Sequence, residues 1–164
     1  KHEIGLHPSY QSFNNLDKIN IEKLRLEKII NKKITSARCH FLRIKFPDTY
    51  QTFINEGIAD DYTMIYASQC GFRTGLCVPY KWFDLSKNEE TKLTIHTSSV
   101  MEGILRDYNK LSPTKAQEII NTTMQEVITF GGEFISIWHN DSFVESQKEW
   151  IEIYKRILNK NKLE

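Results

Sequence analysis

Imidazole and guanidinium groups sit where three apolar segments end. His7 follows Ile4-Gly5-Leu6, Arg38 and His40 alternate within 37–44, and His139 closes Phe134-Ile135-Ser136-Ile137-Trp138. Histidine transfers protons near neutral pH and ligates metals, so three such ends make a candidate reaction centre. Each residue also has a plainer reading. A lone histidine at a strand end is usually hydrogen-bonded structure, and Arg38 can pair with the acidic Asp60-Asp61. Trp138 reads as core before it reads as a sugar platform, and His96 within Thr94-Ile95-His96-Thr97 reads as structural. Cys39, Cys70 and Cys77 contain no C-x-x-C and lie beside apolar residues, the usual setting of a small buried hydrophobe.

Positioning these groups requires strands separated by helices. Extended segments are expected at 3–7, 37–44, 58–67, 76–85, 93–97 and 133–139. A polar loop is expected at 8–15, a charged turn at 86–92, and helices at 19–32 and 49–55. Met101, Ile104, Leu105, Tyr108 and Leu111 recur at helical spacing. Ser112-Pro113 is an N-cap followed by a first-turn proline, and the stripe from Ala116 to Ile128 ends at Gly131-Gly132. A last helix carries Gln147, Trp150, Ile151, Tyr154, Ile157 and Leu158 on one face and frays over 159–164. This alternation predicts an α/β fold: a largely parallel sheet with helical crossovers, open or curled into a partial barrel. Ligands gather at the carboxyl ends of such strands.

With 164 residues, 40% of them hydrophobic, the chain suits one domain with a real core. Twenty-two basic residues against twenty-one acidic ones leave +1. That balance provides no general field for nucleic acid or an anionic membrane, so neither is expected as a partner. The longest apolar runs, such as 64–67, fall far short of the roughly 18 residues of a spanning helix. Three unpaired cysteines and no export signal suggest the cytoplasm. There is no G-x-G-x-x-G, Walker loop, G-x-S-x-G or H-E-x-x-H.

Four of these segments resemble motifs of the polysaccharide deacetylases with the NodB-type fold. Ile4-Gly5-Leu6-His7-Pro8-Ser9 is similar to the second motif, Arg38-Cys39-His40-Phe41 to the third, Asp61-Tyr62-Thr63-Met64 to the fourth and Ser136-Ile137-Trp138-His139-Asn140 to the fifth. Gly71-Phe72-Arg73-Thr74-Gly75 and Gly131-Gly132-Glu133-Phe134 look like a divergent bacterial branch. The resemblance implies a partial or distorted (β/α) barrel that hydrolyses the amide of N-acetylated sugars with a divalent metal such as zinc. It assigns His7 as metal ligand, His139 as general acid, Asp61 as the group that orients His139, and Arg38 as the group that positions the base. The backbone N–H of Phe41 would face the oxyanion, with His40 and Trp138 on the substrate side.

Departures from the pattern carry their own expectations. Gln11 stands where a second histidine ligand belongs, and His40, in place of proline, offers a substitute imidazole. The motif bearing the family's aspartate pair has no counterpart, and the sequence opens at Lys1 rather than Met. The expectation is therefore the carboxyl-terminal part of a deacetylase-like domain lacking its first strands. Such a remnant would accept the missing segment, a partner chain or a second copy at its exposed edge. The competing expectation is a carbohydrate-binding or scaffolding relative that has lost its metal.

Overall fold

The computed structural model describes residues 2–160. Its helices follow local signals closely. Helix α1 spans Asp17–Ile30, α2 Asp48–Asn55, α3 Pro113–Phe130 and α4 Lys148–Lys160. Helix α3 starts as expected: Ser112 Oγ accepts the Lys115 N–H at 3.2 Å, and Gly131 ends the helix in a left-handed conformation, φ 68°. The frayed tail expected over 159–164 falls, past residue 160, outside the described residues.

Helix α1 breaks the usual pattern. Its buried face is Ile19, Lys23 and Glu27, while Ile21, Leu24 and Ile29 are exposed. Glu27 accepts the Ile34 N–H at 2.9 Å and pairs with Lys23 at 2.9 Å, which hold its carboxyl down at about 2. The helix is thereby tied to the segment entering the first strand.

The strands are shorter than expected. They are β1 (Ser36–Ala37), β2 (Asp60–Asp61), β3 (Tyr80–Asp84), β4 (Glu89–Ile95), β5 (Val100–Met101) and β6 (Ser136–Ile137). One sheet has the order β1-β2-β4-β3, with β1, β2 and β4 parallel and β3 closing a hairpin on β4. Leu6 adds a single parallel bridge outside β1 instead of a strand over 3–7, through Leu6 N–H to Ser36 O and Arg38 N–H to Leu6 O. Parallel β5 and β6 form a second, separate sheet. The fold is thus α/β with mostly parallel strands, and among the described residues the sheets do not close into a barrel.

Two expected elements are corrected. The strand over 37–44 stops after Ala37, and His40–Leu42 forms a tight turn with Phe41 and Leu42 both left-handed, φ 53° and 56°. The helix over 101–111 shrinks to a five-residue π-helix, Ile104–Tyr108, because β5 claims Val100 and Met101. Both changes occur where strands leave the sheet, and the departing backbone shapes the site.

Period-two alternation sorts the side chains. Leu6, Ala37 and Ile95 join Ile19 of α1 and Tyr50 and Phe53 of α2 in one core. A second core joins Val100 and Leu105 to Ala116, Ile120 and Met124 of α3 and to Trp150, Ile153 and Ile157 of α4. That buried stripe of α4 runs through Ile153 rather than Gln147 and Ile151.

The other face of the first sheet is polar. There His96, just past β4, bonds through Nδ1 to Glu133 at 2.7 Å and through Nε2 to Asp60 at 3.0 Å, and stacks on Tyr62 at 4.5 Å. Two carboxylates on two ring nitrogens require both nitrogens to donate, so the ring is an imidazolium. Burial opposes that charge, but Glu133 and Asp60 outweigh it and raise the His96 pKa. The clamp links the first sheet to the segment leading into β6.

Its stabilisation is full below the ordinary imidazole value and is lost as pH rises through the higher folded value. Replacing His96 by Gln should cost about 1 kcal/mol near pH 6, since Glu133 is partly exposed. The gap between wild type and variant in urea melts should narrow as pH rises past neutrality.

Candidate functional site

A cavity of about 300 Å3 opens at the carboxyl ends of β1, β5 and β6. Its lining includes His7, Arg38, His40, Phe41, Glu102 and His139. The histidines at 7 and 139, distant in sequence, therefore face one space.

The His139 side of the cavity rests on a residue that sequence reasoning passed over. Glu102 follows β5 directly and is fully buried. Its Oε1 accepts the His139 backbone N–H at 2.6 Å, His139 Nδ1–H at 2.8 Å and the Ser142 hydroxyl at 2.9 Å. A carboxylate oxygen only accepts, so Nδ1 carries a proton, and in the neutral ring Nε2 is the nitrogen with the free lone pair. Ser142 in turn accepts from Arg106 at 2.9 Å, and Arg106 grips Asp107 with two bonds of 2.8 and 2.9 Å. That grip holds the Asp107 carboxyl below its usual range. Glu102 Oε2 is buried and makes no hydrogen bond among the described residues. The one available signal was an acidic residue interrupting the apolar run Val100-Met101-Glu102-Gly103-Ile104-Leu105.

Across the cavity, His7 Nδ1–H donates to the Arg38 carbonyl at 2.6 Å, leaving His7 Nε2 as an acceptor for His40 Nδ1–H at 2.9 Å. The rings meet edge to face, 4.9 Å apart. Burial, with the neighbouring Arg38, His40 and His139, holds His7 below the ordinary imidazole value against the pull of the carbonyl bond. A neutral ring suits that bonding pattern. The Arg38 guanidinium is half-buried, and burial lowers its pKa while Glu102 opposes the shift. It makes no hydrogen bond or ion pair among the described residues, so the alternative pairing with Asp60-Asp61 is not formed.

Three expected site residues lie elsewhere. Asp61 pairs in register with Ala37 and Ile95 and shares their helix-covered face. There it accepts from Tyr50 at 2.7 Å and from Thr63, and burial pushes its carboxyl up to about 6. The carboxylate that orients His139 is Glu102, not Asp61. Gln11 is exposed on the short helix Tyr10–Phe13, where it accepts from Lys18, and it does not line the cavity. Trp138 turns toward Phe143 and Tyr154, with ring centroids at 6.4 and 5.3 Å, as core rather than platform. The short β6 explains this, since Ile137 and His139 take the cavity side and the residue between them faces α4.

Chemically, the arrangement offers a ring held by a carboxylate, whose Nε2 accepts a proton when the ring is neutral, a guanidinium unpaired among the described residues, and two imidazoles in contact. Cys39 also lines the cavity, yet burial, with the Asp61 charge adding to it, pushes its thiol up to about 12. A thiol held that high is no nucleophile at neutral pH. Iodoacetamide at pH 8 should leave Cys39 unmodified in the folded protein and alkylate it in urea. Mass spectrometry of the peptide reads the outcome directly.

Comparison with known proteins finds no matching family model, no matching curated protein and no matching solved structure.

Proposed function

We propose that the chain is a deacetylase-like hydrolase acting on the amide of N-acetylated sugars. The observation that carries this reading is the convergence of His7, Arg38 and the His139–Glu102 pair on one cavity. His139 Nε2 accepts a proton from water as the oxygen adds to the acyl carbon. The resulting oxyanion lies toward the Arg38 guanidinium, which has no competing partner among the described residues. His139 then returns the proton to the sugar nitrogen as the C–N bond breaks, releasing acetate and the amine. Glu102 favours the imidazolium formed between the two steps.

The resemblance also implies a divalent metal, and the imidazoles go part of the way to holding one. His7 Nε2 and His40 Nδ1, hydrogen-bonded to each other at 2.9 Å, would be the two imidazole nitrogens to hold such an ion, which would polarise the acyl carbonyl. The Arg38 carbonyl on His7 Nδ1 is the outer bond such a ligand needs. However, no group of three or more His, Cys, Asp or Glu side chains among the described residues is placed to hold a metal. The set is incomplete, and the proton transfers above involve only the chain's own groups.

The sheet order supports the partial, distorted (β/α) barrel. A cleft runs between Leu6 and β6, lined by Gly5, Tyr62, Ser98 and Ser136, and it continues into the cavity at His7 and Arg38. Ser98 Oγ is buried there and bonds to nothing among the described residues. An added extended segment, from this polypeptide or from a second copy, would use the free edge of Leu6. No helix among the described residues is long and apolar enough to cross a membrane. The incomplete ligand set favours a second reading, a sugar-binding relative without catalysis.

Acetate release from N-acetylglucosamine oligomers, with and without zinc, separates the two. Hydrolysis should fall about 10²–10⁴-fold in His139→Ala and Glu102→Gln. Zinc affinity, read by calorimetry, should fall in His7→Ala. Absence of both acetate release and zinc binding in the wild type would leave only the binding module.

A further inference from the structure

Two large aromatic rings stand exposed at the mouth of the cavity, on separate elements. Phe41 is 69% exposed on the turn after β1, and Tyr108 is 68% exposed at the end of the π-helix after β5. Both line the cavity. Apolar rings in water are unfavourable unless something covers them.

The Phe41 ring is held in place. Tyr10 meets it edge-on at 5.6 Å and His40 at 4.6 Å, with interplanar angles of 88° and 87°. Arg43 is fixed behind this group, over the Tyr10 ring at 4.7 Å and the Phe13 ring at 3.8 Å. The backbone at Phe41 is left-handed, φ 53°, a conformation that disfavours a bulky side chain and suits glycine. The fold therefore keeps a bulky ring at a strained position and leaves it largely exposed. Strain of this kind clusters at functional sites.

The same lining carries polar groups, with Arg38, His139, Asp107 and Asp141 offering both donors and acceptors. Flat apolar rings beside mixed polar groups suit a ligand with a C–H face and a hydroxyl rim, which is the chemistry of a pyranose. A lipid would leave the charged lining unpaired, and a simple anion would not use the rings.

We infer that Phe41 and Tyr108 are a sugar-stacking platform, taking the apolar faces of pyranose rings and presenting the N-acyl group to His139. The inference rests on the sugar-amide reading above and adds the subsite that selects the ring. Phe41 acts here through its side chain, separately from any part its backbone takes.

Calorimetric titration with the tetramer of N-acetylglucosamine tests it. Phe41→Ala and Tyr108→Ala should each weaken binding about tenfold, and Phe41→Trp should retain it. Phe41→Gly removes the ring while relieving the backbone, so its Tm should match or exceed that of the wild type even as affinity drops. Unchanged affinity in Phe41→Gly and Tyr108→Ala overturns the platform while leaving the hydrolase reading intact. Ring-dependent binding without acetate release upholds the platform and removes the hydrolase. Wild-type protein that binds no tetramer overturns the platform outright.

Discussion

The site depends on a buried carboxylate. Glu102 sits fully enclosed at the end of β5, and a charge in that position persists only when hydrogen bonds replace water. One of its oxygens gathers the amide and ring of His139 together with the Ser142 hydroxyl, fixing the segment after β6 to the end of β5. Removing one of these partners leaves the enclosed carboxylate with fewer groups in place of water, which destabilises the fold. Interior stability and imidazole orientation are therefore the same interaction. The chain from Asp107 through Arg106 and Ser142 extends that constraint into the π-helix. π-Helical turns are often found at functional sites.

The first sheet meets this assembly through polar contacts and through a small apolar cluster of Ile65, Ile104 and Ile137. Its apolar face is covered by α1 and α2, and its opposite face carries Ser36, Arg38, Asp60, Tyr62 and His96. The His96 clamp holds one end of that face to the residues before β6, and His7 and Arg38 stand at the other end beside the cavity. The cleft between Leu6 and β6 separates two parallel systems with the same polar lining. The histidines from the two halves thus meet over a gap that no continuous ladder crosses.

Features written in neighbouring residues were legible in the sequence. Ser112-Pro113 and Gly131 bounded α3 because caps are local, and the strand-end rule pointed to His7 and His139 because apolar runs stop there, whereas Arg38 reaches the cavity because β1 ends at Ala37, far short of the expected strand end. Features set by long-range pairing were not. The strands keep only two to seven paired residues, fewer than their β-prone segments suggest. The inner face of α1 was hidden because Lys23 and Glu27 occupy core positions as a pair, an arrangement that periodicity scores as surface. Asp61 was misplaced by one residue of alternation: register with Ala37 turns it toward Tyr50, while its neighbours face the polar side. Glu102 was missed because an acid beside apolar residues declares its role only through partners about forty positions away.

The tautomeric state of His139 tests the central interaction most directly. Long-range ¹H–¹⁵N correlation spectra of the imidazoles, recorded on the deprotonated ring, report which nitrogen holds the proton. A Glu102-bound ring gives the Nδ1–H form with Nε2 unprotonated. A ring found as Nε2–H, or exchanging freely between the two forms, would mean that the carboxylate does not hold His139 and that the proton-transfer site is not built as described.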